Sequence, residues 1–194
     1  MPAITRAIAV WTDDGWWWTG GPSFSADTSL YFPIVSGNTG AFFRHTDIQV
    51  PNSRLITAAF IRFTAWENYA GGASVTIRGN DVDNAVAPTN VTTAEALVPT
   101  SASRVWAVPT FVAGATFDTP DLSPIVQEIV NRPLFVPGYA MQFTFKNSSG
   151  SRRRIYGFDL NASNPGKYAT LYITYAVGGM KGLGAGAMAE VMGL

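Results

Sequence analysis

The chain has no cysteine and one histidine, His45. The first absence excludes a disulfide framework and any thiolate metal site, and the second excludes a multi-histidine cluster. Charge is scarce as well. Asp, Glu, Lys and Arg make up 13% of residues, where about a quarter is usual, and 13 basic residues balance 13 acidic ones. A neutral chain of this kind is not built to coat nucleic acid or an anionic membrane. No apolar run approaches the length that crosses a bilayer, and the opening Met-Pro-Ala-Ile-Thr-Arg lacks the apolar centre of a secretory signal, so synthesis in the cytoplasm is expected. No Gly-x-Ser-x-Gly elbow, Walker loop or zinc-spaced histidine pair occurs. The expectation is a protein that is not an enzyme, with His45 a strand residue satisfied by a neighbour.

What the chain does have is aromatic side chains (13%), 19 glycines and 12 prolines across 194 residues. Short alternating apolar runs between turn signals predict an antiparallel β-sandwich of about eight to nine strands, of jelly-roll type. Phe42, Arg44, Thr46, Ile48 and Val50 fall on one side of one strand. Leu55 to Trp66 is apolar on both sides, as a doubly covered central strand would be. Met141, Phe143 and Phe145 alternate before Asn147-Ser-Ser-Gly150, a hairpin signal, and Leu171, Ile173 and Tyr175 alternate on the last strand. Gly79 to Ser103 reads as a long polar connection, unusual inside a compact domain and often functional.

One helix is expected, at about 120–131. Leu122, Ile125, Val126, Ile129 and Val130 recur at helical period and predict one buried stripe. Thr119 or Ser123 can cap its start, each with a proline following, and Pro133 ends it. The sandwich is expected to span residues 1–176. Residues 177–194 form a Gly/Ala/Met-rich tail whose Met180, Leu183, Met188, Val191, Met192 and Leu194 cannot offset the ordering entropy of its glycines within the chain, so contact with neighbouring subunits is expected.

Several residues are candidates for binding. Trp16, Trp17, Trp18, Trp66 and Trp106 either stack on sugar rings or pack in the core and at subunit interfaces, and at least one of the three consecutive indoles must point away from the core. Asp13, Asp14, Asp81 and Asp83 offer hard oxygen ligands for calcium if their two loops meet; otherwise they cap turns. Arg152, Arg153 and Arg154 follow the hairpin signal and are either solvated or paired with carboxylates of a neighbouring subunit.

At Asp118-Thr-Pro-Asp-Leu-Ser-Pro-Ile-Val-Gln-Glu-Ile-Val-Asn-Arg-Pro133, with Gly138-Tyr-Ala-Met-Gln-Phe143 and Leu171-Tyr-Ile-Thr-Tyr175, the chain resembles a jelly-roll module of bacterial extracellular multidomain proteins and tailed-phage virion proteins. That module is similar in architecture to carbohydrate-binding modules. Ile8 to Asp14, Phe43-Arg44 with Ile48 to Pro51, and Ile77 to Asn84 resemble its other signature segments. After Asp14 the module has further acidic residues where this chain has three tryptophans. The resemblance implies a structural virion protein, a capsid decoration or cement protein or a head or tail appendage, acting as a homo-oligomer with other virion proteins. The alternative it implies is a carbohydrate-binding module recognising host-surface glycan through exposed tryptophans.

Overall fold

The computed structural model describes residues 1–18, 24–25, 29–31, 39–160 and 164–177. Its strands are β1 (Ala3–Ala7), β2 (Asp14–Trp18), β3 (Phe24–Ser25), β4 (Ser29–Tyr31), β5 (Thr39–Ile48), β6 (Ile56–Thr64), β7 (Ala73–Asn80), β8 (Pro99–Val108), β9 (Thr116–Asp118), β10 (Tyr139–Gly150), β11 (Arg154–Tyr156) and β12 (Thr170–Tyr175). Two helices, α1 (Val91–Glu95) and α2 (Ser123–Val130), accompany them.

Two antiparallel sheets pack as a sandwich. One has the order β1-β12-β6-β9, the other β3-β2-β5-β10-β7-β8, and β4 pairs with β11 apart from both. With β2, β3, β4 and β11 set aside, eight strands remain. The first, eighth, third and sixth form one sheet and the second, seventh, fourth and fifth form the other, which is the jelly-roll order. The core between the sheets centres on Phe43, Phe63 and Phe145, packed edge to face at 4.9–5.7 Å, with Trp106 stacked on Phe63 at 6.1 Å. Such geometry matches the positive edge of one ring to the negative face of the next.

The amphipathic stripe of α2 is buried as its period predicts: Leu122, Ile125, Val126, Ile129 and Val130 are all fully enclosed. The capping expectation is corrected. The N-cap position is Leu122, without a side-chain cap, and Ser123 is the first helical residue. Thr119 Oγ1 instead accepts from the Ile61 amide at 3.1 Å, Asp121 Oδ1 from Ala59 at 3.1 Å, and Gln127 Oε1 from Ile56 at 2.9 Å. These side chains take the place of a neighbouring strand along the part of β6 that β9 does not reach, since β9 pairs only with Arg62 to Thr64. On the opposite side Glu128 accepts from the Ser101 and Ala102 amides of β8 at 2.7 and 2.8 Å. The helix therefore closes one open side of the sandwich, satisfying strand edges that would otherwise present bare amides.

Three other expectations are also corrected. Phe42 and Arg44 face away from the main core while Ile48 and Val50 enter it, because Asp47 takes a left-handed φ of 55° and the pairing shifts there between β5 and β10. One extra residue turns every later side chain to the other face. Asn147 (φ 53°) sits at a second bulge inside β10, not in a hairpin turn; the strand continues to Gly150, and β11 pairs with β4. β6 is fully covered on one face only: Ala59, Ile61 and Phe63 are buried, while Ala58 is exposed and Phe60 and Arg62 are half-buried. The outer face carries a Phe60–Tyr172 stack at 4.8 Å with the Arg62 guanidinium 5.2–5.5 Å from both rings. Apolar character on both sides of the sequence was thus ring stacking, not double coverage.

Candidate functional site

The three consecutive tryptophans lie on β2 and meet three different environments. Trp16 packs half-buried against the main core, Trp18 is 40% exposed, and Trp17 is fully buried on the outer face of the six-stranded sheet. Trp17 pairs in register with Gly40, and its indole lies where a Cβ at residue 40 would be, so only glycine fits there. Phe42 lies 6.4 Å away across the same face.

What buries Trp17 is the segment between β7 and β8, which is largely irregular as its composition predicts, with α1 and the start of β8 at Pro99 as its regular parts. Residues 81–98 run over the outer face of β10, β5 and β2 and contain α1. The Ala85 amide donates to the Ala140 carbonyl at 3.1 Å, Arg44 Nε donates to the Ala85 carbonyl at 2.7 Å, and Ala94 packs on Trp17 and Phe42. Asn90 caps α1 by a reciprocal capping box with Thr93. Glu95 at its end accepts from Trp17 Nε1 and pairs with Lys146 at 3.3 Å, whose ammonium lies 5.2 Å from the Trp17 ring. The same segment borders a pocket of about 390 Å³ lined by amide, hydroxyl and aliphatic side chains, among them Asn80, Asn84, Thr93 and Leu97.

The four aspartates bind protein groups. Asp13, fully buried, receives Arg44 Nη1 at 2.5 Å; Asp14 Oδ2 accepts from the Phe158 amide at 2.9 Å. Asp81 and Asp83 both hold Arg132, at 2.7 and 3.0 Å. Among the described residues, no group of three or more His, Asp or Glu is gathered as a metal site would need. Burial and the neighbouring Asp159 and Asp13 push the Asp14 carboxyl up to about 7, against the lowering effect of the Phe158 amide. His45 is entirely buried, and desolvation lowers its pKa to about 3. Its Nδ1 lies 2.9 Å from the Arg6 carbonyl, which can only accept, so the neutral ring carries its proton there.

The arginine triplet, of which only Arg154 lies on a strand, splits among three environments. Arg153 is fully buried and donates to the carbonyls of Pro109 and Gly71 at 3.0 and 2.6 Å, with its guanidinium 5.5 Å from the Phe111 ring. Burial pushes its pKa down. Arg154 binds Glu67 and lies 5.8 Å from the Trp66 ring, and the exposed Arg152 lies 5.9 Å from the Tyr69 ring.

No family model matches the chain, and no curated protein is similar to it in sequence.

The structure joins two of the candidate sets. Trp66 meets Tyr156 edge to face at 4.8 Å, Lys167 lies 4.8 Å from the Tyr156 ring, and Glu67 accepts from both Arg154 and the Tyr69 hydroxyl. One surface network thus runs Arg152, Tyr69, Glu67, Arg154, Trp66, Tyr156, Lys167. Tyr156 could have been read from its spacing of two from Arg154 on an extended strand. Glu67 and Lys167 carried no local signal, because they reach the network from other parts of the chain. Trp66 lies far from the β2 tryptophans in role: it belongs to this network, while Trp17 belongs to the α1 clamp. Met180, Leu183, Met188, Val191, Met192 and Leu194 lie outside the described residues.

Proposed function

We propose that the chain is a structural subunit of a tailed-phage particle, a capsid decoration or cement protein or part of a head or tail appendage, acting through contacts with its own copies and other virion proteins. The observation that carries the reading is where its large apolar side chains lie. Val86, Val98, Val105, Val112 and Leu134 are each more than half exposed, while ion pairs and hydrogen bonds within the sandwich engage Asp13, Asp81, Asp83, Arg44 and Arg132. A jelly-roll that spends these charges on pairs within itself and presents valine and leucine outside is suited to being covered by partners. The Phe60–Tyr172–Arg62 platform on the open face of the four-stranded sheet offers a further flat contact area.

Two measurements test this. Purified particles should contain the protein in fixed ratio to other virion proteins after density-gradient banding, and deletion of residues 178–194 should abolish that incorporation while leaving the melting temperature of the sandwich within about 2 °C. Absence from intact particles sinks the reading. Normal incorporation of the truncated chain removes the tail from it and leaves the sandwich surface as the contact.

A further inference from the structure

Independently of membership in a particle, we propose that the pocket bordered by the 81–98 segment binds a small uncharged molecule with an aliphatic body and one carboxamide group. No charged side chain lines this cavity of about 390 Å³. The two aspartates nearest in sequence, Asp81 and Asp83, are held by Arg132 instead. Val82, Val86, Pro88, Leu97 and Val98 supply an aliphatic wall, and Val86 and Val98 keep it open at the surface, 78% and 53% exposed. The volume is near the lower end for ligand pockets, which fits a small body.

The polar groups that Asn84 and Thr93 bring to the pocket are already engaged. Asn84 Oδ1 accepts from the Ala140 amide at 2.9 Å; the Thr93 hydroxyl donates to the Asn90 carbonyl and accepts from the Thr89 and Asn90 amides. Asn80, which also borders the pocket, differs. It is 4% exposed, and among the described residues its Oδ1 has no hydrogen-bond partner. Its Nδ2 makes one bond, of 3.4 Å, to Gln142 Oε1, and Gln142 Nε2 is likewise without a partner. A bond of that length is a weak hold, and the χ2 torsion of asparagine is broad, so a modest rotation turns the Asn80 amide to a ligand. A carboxamide then meets it in a paired exchange, N–H to Oδ1 and C=O to Nδ2, and satisfies a buried amide that the fold leaves half used. A charged ligand would lose its hydration without gaining a countercharge. One with many hydroxyls would strand them against valine and leucine.

Ligand-observed NMR on the whole protein tests the site with isovaleramide and two probes of nearly the same shape, isovalerate, which is charged, and 4-methyl-2-pentanone, which has no N–H donor. Saturation transfer to isovaleramide is expected, with binding about fivefold or more weaker for each of the other two, the loss of one hydrogen bond or more. N-acetylleucine methylamide distinguishes the sources: tighter binding than isovaleramide assigns the site to a peptide group, weaker binding to a free amide. Asn80→Leu should weaken isovaleramide binding by a similar factor. So should Val98→Trp, which narrows the pocket from an exposed rim position, and thermal melts should show both variants folded. Equal transfer to the ketone or to isovalerate would overturn the proposal, as would unchanged binding in both variants or no transfer to isovaleramide.

Discussion

Asp14 and His45 are two buried ionisable groups displaced in opposite senses, and their effects on stability oppose each other. His45 titrates near 6.5 unfolded and near 3 folded, so its contribution is complete above 6.5 and is lost as pH falls toward 3. Asp14 titrates near 3.8 unfolded and near 7 folded; its contribution is complete below 3.8 and is lost as pH rises toward 7. Between about 4 and 6.5 the unfolded chain binds the extra proton on His45 and the folded chain binds it on Asp14, so the two slopes cancel. Each amounts to about 1.4 kcal/mol per pH unit. Urea melts from pH 4 to 6.5 should therefore show Asp14→Asn gaining stability with pH relative to the parent, and His45→Gln losing it. Two variants parallel to the parent would show that neither group is displaced. The sequence marked both residues as unusual only through scarcity. Neither the single histidine nor the acidic turn signal could show that the second sheet and the residues near Phe158 would enclose them.

At the scale of an element, α2 was the most legible part of the chain and also the part whose purpose was least legible. Its stripe follows from a 3.6-residue period, which fixed the five buried residues. Removing the buried side chain of Ile125 or Ile129 by substitution with Ala should cost about 2–5 kcal/mol, read by chemical denaturation. A loss below about half a kilocalorie would place the helix on solvent. Its polar residues carry the other half of the role. Thr119, Asp121, Gln127 and Glu128 looked like ordinary solvent-facing or capping positions, yet each accepts from a strand-edge amide. Such bonds span 26 to 71 residues of sequence, and a local pattern holds no information at that range. The same limit explains α1: five residues without a clear stripe, stabilised by a capping box and by the Trp17 clamp rather than by period. A Gln127→Leu change should lower stability by about 1–3 kcal/mol by stranding the Ile56 amide, although Leu is the better helix former in an isolated peptide. Unaltered stability would mean that another group supplies that bond.

For the whole molecule, alternation of apolar residues was enough to indicate a sandwich, but not the two outer faces. One is overlaid by residues 81–98, an arrangement that turns on the fit of one indole over Gly40, and the other bears the Phe60–Tyr172 stack between neighbouring strands. Strand order has a consequence in time. β12, the last described strand, lies between β1, the first, and β6, and among the described residues β1 has no other strand partner. A ribosome must therefore deliver roughly the whole sandwich before its opening strand can pair, and the nascent chain carries an unmatched first strand throughout its synthesis. Chains truncated after residue 165 should stay open to protease while those ending at residue 177 resist it, and refolding of the complete chain should take milliseconds to seconds, the pace of topologies that wait on distant pairings. Protection appearing in the shorter chain would contradict this order of events. If it holds, a new copy gains its resistance to protease in one late step, when the two ends of the sandwich meet.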